Sequence, residues 1–155
     1  MADRIAIVAS KGTLDMALPP LIMATTAAAM GMEAGIFFTF YGLDIINKKK
    51  YAKLKVAPVG NPSMPVPVPN IVGMLPGMTA MATKMMNGMM AKEKVPTVPE
   101  FITMCHELDV KLWPCQMTLD LLKIDLDDVV DEAEKTCGAG AFLDYATEAS
   151  ISLFI

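Results

Sequence analysis

The chain has 155 residues, 54% of them apolar, and a formal charge of −4. That length sets one domain with room for a sound core, and the mild acidity argues against nucleic acid, which would want a basic face. Three cysteines without framework spacing argue against a disulfide scaffold and fit a reducing, cytoplasmic setting.

Met1-Ala2-Asp3-Arg4 runs straight into Ile5-Ala6-Ile7-Val8-Ala9, so no secretory signal is read there. Residues 5–9 are apolar and partly β-branched, as a buried parallel strand requires. Ser10-Lys11-Gly12-Thr13 is a turn, in which Ser10 or Thr13 caps a helix running to about Met30, with Asp15 favourable in its first turn. Pro19-Pro20 requires that this helix kink, or that it start only at Pro19. Gly31 stops it. A second buried strand follows over 34–40, and alternating strand and helix point to an α/β fold around a parallel sheet. Residues 43–54 read as a short basic amphipathic helix. Its Lys48-Lys49-Lys50 either meets the negative end of the helix dipole in solvent or faces an acidic partner surface.

Residues 56–69 read as extended, because Pro58, Pro62, Pro65, Pro67 and Pro69 each deny a helix. Eight of the 15 methionines fall between Met64 and Met90. The nearly uncharged stretch 71–90 is about long enough to span a bilayer, but Pro76, Lys84, Asn87 and its glycines weigh against a span. It reads instead as a helix or helical pair buried on the protein or between subunits, methionine suiting an adaptable contact surface. Exposed on a small domain, it would form an apolar patch larger than soluble monomers tolerate. The insertion, about 56–95, therefore predicts a homo-oligomer with this segment at the interface.

The core pattern resumes with a helix over 98–109, whose apolar face carries Phe101, Met104, Cys105 and Leu108. A third strand over 111–114 ends at Pro114, which cannot donate to a ladder. A helix start at Gln116, a short acidic helix over 125–132, a fourth strand over 133–137, a helix from Gly138 to about Ala149 and a fifth strand over 151–155 complete the chain.

Chemistry narrows to the thiols. There is no GxGxxG, Walker A pattern or CxxC. Cys105, His106, Cys115 and Cys137 match no common zinc spacing. His106 reads as a surface residue, and no GxSxG elbow accompanies this single histidine. Cys115 stands where a strand ends and a helix begins. The carboxyl ends of parallel strands are where ligands gather, and a helix N-terminus beside a thiol favours the thiolate. On these grounds Cys115 is either a nucleophile or a buried cysteine capping the sheet, and both readings stay open. Cys105, on the apolar helix face, reads as core packing or a second thiol. Cys137 reads as a small residue in a tight strand-to-helix junction.

Three segments carry a resemblance: Lys111-Leu112-Trp113-Pro114-Cys115-Gln116-Met117-Thr118-Leu119-Asp120, Gly73-Met74-Leu75-Pro76-Gly77-Met78, and Phe142-Leu143-Asp144-Tyr145-Ala146 through Ser152-Leu153-Phe154-Ile155. With them the whole chain resembles the DsrE/DsrF-like family of small sulfur-relay proteins, in particular its subgroup with a long Met/Pro-rich insertion after the second strand. The resemblance implies a three-layer α/β/α domain with a five-stranded parallel sheet, assembled into homo-oligomers. It also implies that Cys115, after the third core strand, accepts sulfur as a persulfide or thiosulfonate. Cys105 matches an additional upstream cysteine of some members. Members that do this work pass sulfur between a rhodanese-like donor and a TusA-like carrier.

The expectation is a cytoplasmic sulfur carrier or sulfurtransferase. Cys115 would be its nucleophile, Cys105 would release the load through a disulfide, and Gln116 and Thr118 would hydrogen-bond near the substrate. Backbone N–H groups at the helix start would stabilise the thiolate. No metal or organic cofactor is called for. Two readings compete: a non-catalytic oligomeric subunit docking through the Met-rich insertion, and a thiol redox sensor.

Overall fold

The structure, a computed structural model, describes residues 3–58 and 70–155. Its sheet holds four parallel strands: β1 (Arg4–Ala9), β2 (Glu33–Phe38), β3 (Lys111–Pro114) and β4 (Ile151–Phe154), in the order β3-β2-β1-β4. Ala9 pairs with Phe38 and Phe38 with Pro114, so β1, β2 and β3 end level at one edge. β1 and β2 are buried almost throughout, as apolar runs covered on both faces should be.

The expected five strands are corrected to four. Residues 133–137 do run beside β3, with Glu134 N–H on the Leu112 carbonyl (2.8 Å) and Cys137 N–H on the Pro114 carbonyl (3.0 Å). Yet they form only one bridge, between Cys115 and Cys137. Glu134, Lys135 and Thr136 offer no apolar side chain to bury, so nothing extends that bridge into a ladder.

Two helices, α1 (Leu14–Ala29) and α4 (Val98–Glu107), pack on the face presented by Ile5, Ile7, Ile36, Phe38 and Leu112. The opposite face, with Ala6, Phe37 and Trp113, is covered among the described residues by one helix, α6 (Ala139–Thr147). α1 follows Thr13 directly and contains both Pro19 and Pro20; it ends before Gly31, whose φ of +87° favours glycine. Thr97 and Glu100 cap α4 reciprocally. The buried face of α4 is Val98, Phe101, Ile102 and Cys105, turned away from the expected Leu108, which is exposed.

Two expected helices are absent. Residues 43–54 form two 3-10 turns, Phe40–Ile46 and Tyr51–Lys53, and the acidic helix over 125–132 shrinks to a 3-10 turn, Leu126–Asp128. The two segments bind each other instead: Lys48 N–H donates to the Asp128 carbonyl (2.7 Å) and Val130 N–H to that of Ile46 (2.8 Å). Backbone groups paired across two segments are not free to form a helix within either. The lysines find carboxylates of their own chain: Lys48 meets Asp131, Lys49 meets Asp128 and Lys50 meets Asp44. Exposed pairs of this kind add little stability.

The described part of the insertion from residue 70 on holds a helical pair, α2 (Asn70–Gly73) and α3 (Met78–Lys92), broken at Pro76-Gly77. α3 turns Ala82, Met86 and Met90 toward the core and leaves Met81 and Met89 exposed. The Thr83 hydroxyl anchors it by accepting from Val56 N–H (3.1 Å). No described helix is long and apolar enough to cross a membrane. The extended reading of Pro62, Pro65, Pro67 and Pro69, and the position of Met64, lie outside the described residues.

At the level edge of the sheet the loops are closely packed. A Cβ at Gly42 would run into the carbonyl oxygen of Ala9, and one at Gly12 into that of Tyr41. Gly42→Ala should therefore cost about 1–3 kcal/mol through forced displacement. Urea unfolding should show a lower midpoint at unchanged slope; a wild-type midpoint would mean that the loop relaxes freely.

Candidate functional site

Pro114 closes β3, and Cys115 follows with two duties at once. Its N–H still donates to the Phe38 carbonyl of β2 (2.9 Å), while its own carbonyl accepts from Thr118 and Leu119 N–H (3.1 Å each). Cys115 is thus the last rung of the sheet and the N-cap of α5 (Gln116–Leu122). On its other side Gln116 N–H donates to the Cys137 carbonyl (3.1 Å). The backbone around the thiol is fixed from both flanks.

The amides expected to greet a thiolate at this helix start are mostly committed elsewhere. Gln116 N–H goes to Cys137, and those of Thr118 and Leu119 go to the Cys115 carbonyl. Among the described residues only Met117 N–H, of the first turn, has no backbone carbonyl partner.

Side chains alternate along β3. Leu112 faces the α1 and α4 layer; Trp113 and Cys115 face α6. Cys115 therefore belongs to a small second cluster with Ala6, Phe37, Cys137 and Phe142. Aromatic rings wall this cluster: Phe37 stacks on Phe142 at 4.8 Å, and Trp113 meets Tyr145 edge-on at 4.7 Å. The Arg4 guanidinium lies 4.4 Å over the Tyr145 ring and pairs with Glu33 and Glu148.

Cys137 is the thiol that sequence reasoning left out of the site. It lies opposite Cys115 across the parallel bridge, and its S–H donates to the Gly138 carbonyl (3.3 Å). Burial pushes its pKa up, negative charge on Cys115 adds to this, and the Phe142 amide pulls the other way. The pairing of two segments about twenty residues apart depends on register, which no local pattern in the sequence reports.

The other expected site residues lie elsewhere. Cys105 is fully buried in the main core beneath α4, on the opposite sheet face from Cys115, so the structure does not bring these two together. Burial raises its thiol pKa from 9.0 to about 12. Gln116 is exposed and donates to Asp120, one turn along α5 (2.9 Å). Thr118 is buried; its hydroxyl accepts from Phe40 N–H (3.0 Å) and shares a hydrogen bond with Thr39 (3.2 Å). It ties α5 to the loop after β2, where Phe40 holds a positive φ of 48°. His106 is on the surface. The loop and helix flanking Cys115 also carry exposed apolar side chains: Phe40, Tyr41, Met117 and Leu121.

The model of the DsrE/DsrF/DrsH-like family matches residues 1–154. The chain belongs to this family. It is 44% identical over 158 residues to the sulfur carrier protein DsrE2 of Allochromatium vinosum, covering 98% of each chain. It is 34% identical over 162 residues to the uncharacterized protein YrkE of Bacillus subtilis, covering 98% of this chain and 96% of that one.

The raised pKa of Cys105 carries a stability consequence. Between its ordinary value of 9.0 and about 12 the unfolded chain loses this proton while the folded chain keeps it. Its contribution is therefore present in full below about pH 9 and fades as pH rises toward 12. Stability should fall more steeply between pH 9 and 11 in the wild type than in Cys105→Ala. Parallel curves from denaturant titrations would show that the thiol ionises freely in the folded state.

Proposed function

We propose that this protein is a sulfur carrier of cytoplasmic sulfur trafficking, with Cys115 as the thiol that holds the load. The observation that carries the reading is the placement of Cys115: a free thiol at the carboxyl end of β3, the outer strand of the sheet, its backbone held on both sides. Full-length similarity to a protein named as a sulfur carrier supports it.

The chemistry is a redox-neutral exchange. The Cys115 thiolate attacks the outer sulfur of a persulfide donor, the donor's thiolate leaves, and Cys115 becomes Cys–S–S⁻. An acceptor thiolate then attacks that outer sulfur, and Cys115 leaves as the thiolate. A donor carrying an oxidised sulfur group gives a thiosulfonate by the same route. Neither step asks for a metal or organic cofactor. Thr118 acts by fixing the start of α5 against the β2 loop. Gln116, turned to solvent, is placed to meet an incoming partner.

Donor and acceptor are themselves sulfur-relay proteins, rhodanese-like on one side and TusA-like on the other. The exposed Phe40, Tyr41, Met117 and Leu121 beside Cys115 suit such contacts. Three free cysteines fit a compartment that keeps thiols reduced.

The decisive experiment is intact-mass measurement after incubation with polysulfide, thiosulfate or tetrathionate. The wild type should gain discrete sulfur-containing adducts and Cys115→Ser should gain none, with its fold retained. Adducts at wild-type level on Cys115→Ser would remove Cys115 from this role. Gain of oxygen alone would support a redox sensor instead.

The Met-rich insertion completes the reading as a contact between copies of the chain. α3 anchors one face on the core and leaves Met81 59% exposed, beside the exposed Ile71, Met74 and Leu75. Methionine adapts to an apolar partner at low strain. Charged substitutions at Met81 and Met85 should dissociate a homo-oligomer or make it aggregate. A monodisperse wild-type monomer in light scattering would contradict this.

A further inference from the structure

We propose that Cys137 is the second thiol of the site, and that it discharges Cys115 by attacking the Cys115 sulfur to form an intramolecular disulfide. The proposal rests on Cys115 being the loaded thiol. It assigns to Cys137 the releasing role that the sequence reading expects of Cys105.

Three features of the geometry point to this pair. First, Cys115 and Cys137 are partners across a parallel bridge. Neighbouring strands lie about 4.8 Å apart, inside the roughly 4.4–6.8 Å window of Cα separations that a disulfide accepts. Bridge partners also point to the same sheet face, and both cysteines belong to the cluster under α6. Second, the register is locked on both sides. Cys137 N–H donates to the Pro114 carbonyl and Gln116 N–H to the Cys137 carbonyl, while Cys115 N–H holds β2. Third, Cys105 is on the far face of the sheet and fully buried. The rise of the Cys137 pKa in response to charge on Cys115 fits two sulfurs that sense each other.

The step balances without an added oxidant. Let the loaded residue be Cys115–Sγ–X, where X is a sulfonate, thiosulfonate or sulfhydryl group. Cys137 gives its proton to solvent and its thiolate attacks Sγ of Cys115. The Sγ–X bond breaks, and its electron pair leaves with X as sulfite, thiosulfate or hydrosulfide. Two thiols are oxidised to one disulfide, and the departing group takes up the two electrons. An external dithiol resets the pair and ends as a disulfide itself. Because burial holds the Cys137 thiol above its ordinary range, discharge should accelerate as pH rises through the ionisation of Cys137.

The test loads the full chain with tetrathionate and follows it by mass. Thiolate attack on an inner sulfur expels thiosulfate and leaves Cys115–S–S–SO₃⁻. In the wild type this adduct should give way to a chain two hydrogens lighter than the reduced protein. Trypsin should then yield peptides 112–123 and 136–155 joined by a disulfide. Cys137→Ser and Cys137→Ala should load Cys115, keep the adduct and lose the joined peptides; Cys105→Ser should still form them. A disulfide through Cys105, or an adduct decaying at the wild-type rate in both Cys137 variants, would overturn the proposal. Failure of Cys115 to load even in Cys137→Ser would instead overturn the reading of Cys115 itself, and this proposal with it.

Discussion

Everything about the site depends on one register. The Cys115 N–H bonds to Phe38 on β2, and the next amide bonds to Cys137 on the other side. Because side chains alternate along a strand, a slip of one residue would send Cys115 to the opposite face, into the main core. The pairing of β2, β3 and residues 133–137 therefore decides which thiol lies at the edge of the sheet and which thiol stands beside it.

Among the described residues the two faces of the sheet have unequal cover, and the proposed chemistry lies on the thinner side. α1 and α4 seal one face with a continuous aliphatic core that takes in Cys105. The other face has α6 alone, with an aromatic cluster around Phe37, Trp113, Phe142 and Tyr145. A thiol buried in that core is desolvated and held protonated, as the raised pKa of Cys105 expresses. Cys115 is 6% exposed and Cys137 9%. They are sheltered, yet lie at the rim rather than in the centre. Such a position would shield a sulfur adduct on Cys115 from bulk thiols, as the proposed function requires.

Much of this was legible in the sequence where one local cause dominates. Pro114 cannot extend a ladder, so the end of β3 and the start of α5 fall where the chain says they should. Gly31 and the apolar run over 5–9 mark their elements equally well. The failures share a different cause, backbone pairing between segments distant in sequence. Residues 46–48 and 128–130 pair with each other in place of forming two helices. Residues 133–137 lie along β3, but their polar side chains hold them to one bridge. Cys137 was passed over for the same reason: its partner is fixed by register, and a lone cysteine before glycine carries no local sign of that. Cys105 misled in the opposite direction, since ten residues of spacing conceal that the two thiols face different layers.

The central claim is that sulfur held on Cys115 moves to another protein's thiol. It is tested most directly in Cys137→Ser, where no internal disulfide can discharge the load: the chain is loaded with ³⁴S-labelled sulfane sulfur, excess donor is removed, and a small acceptor protein with a single exposed cysteine is added. Peptide mass mapping should show the label leave the Cys115 peptide and appear on the acceptor cysteine, with no net oxidation of either protein. Label that stays on Cys115, or is lost to solution as sulfide without reaching the acceptor, would contradict the account.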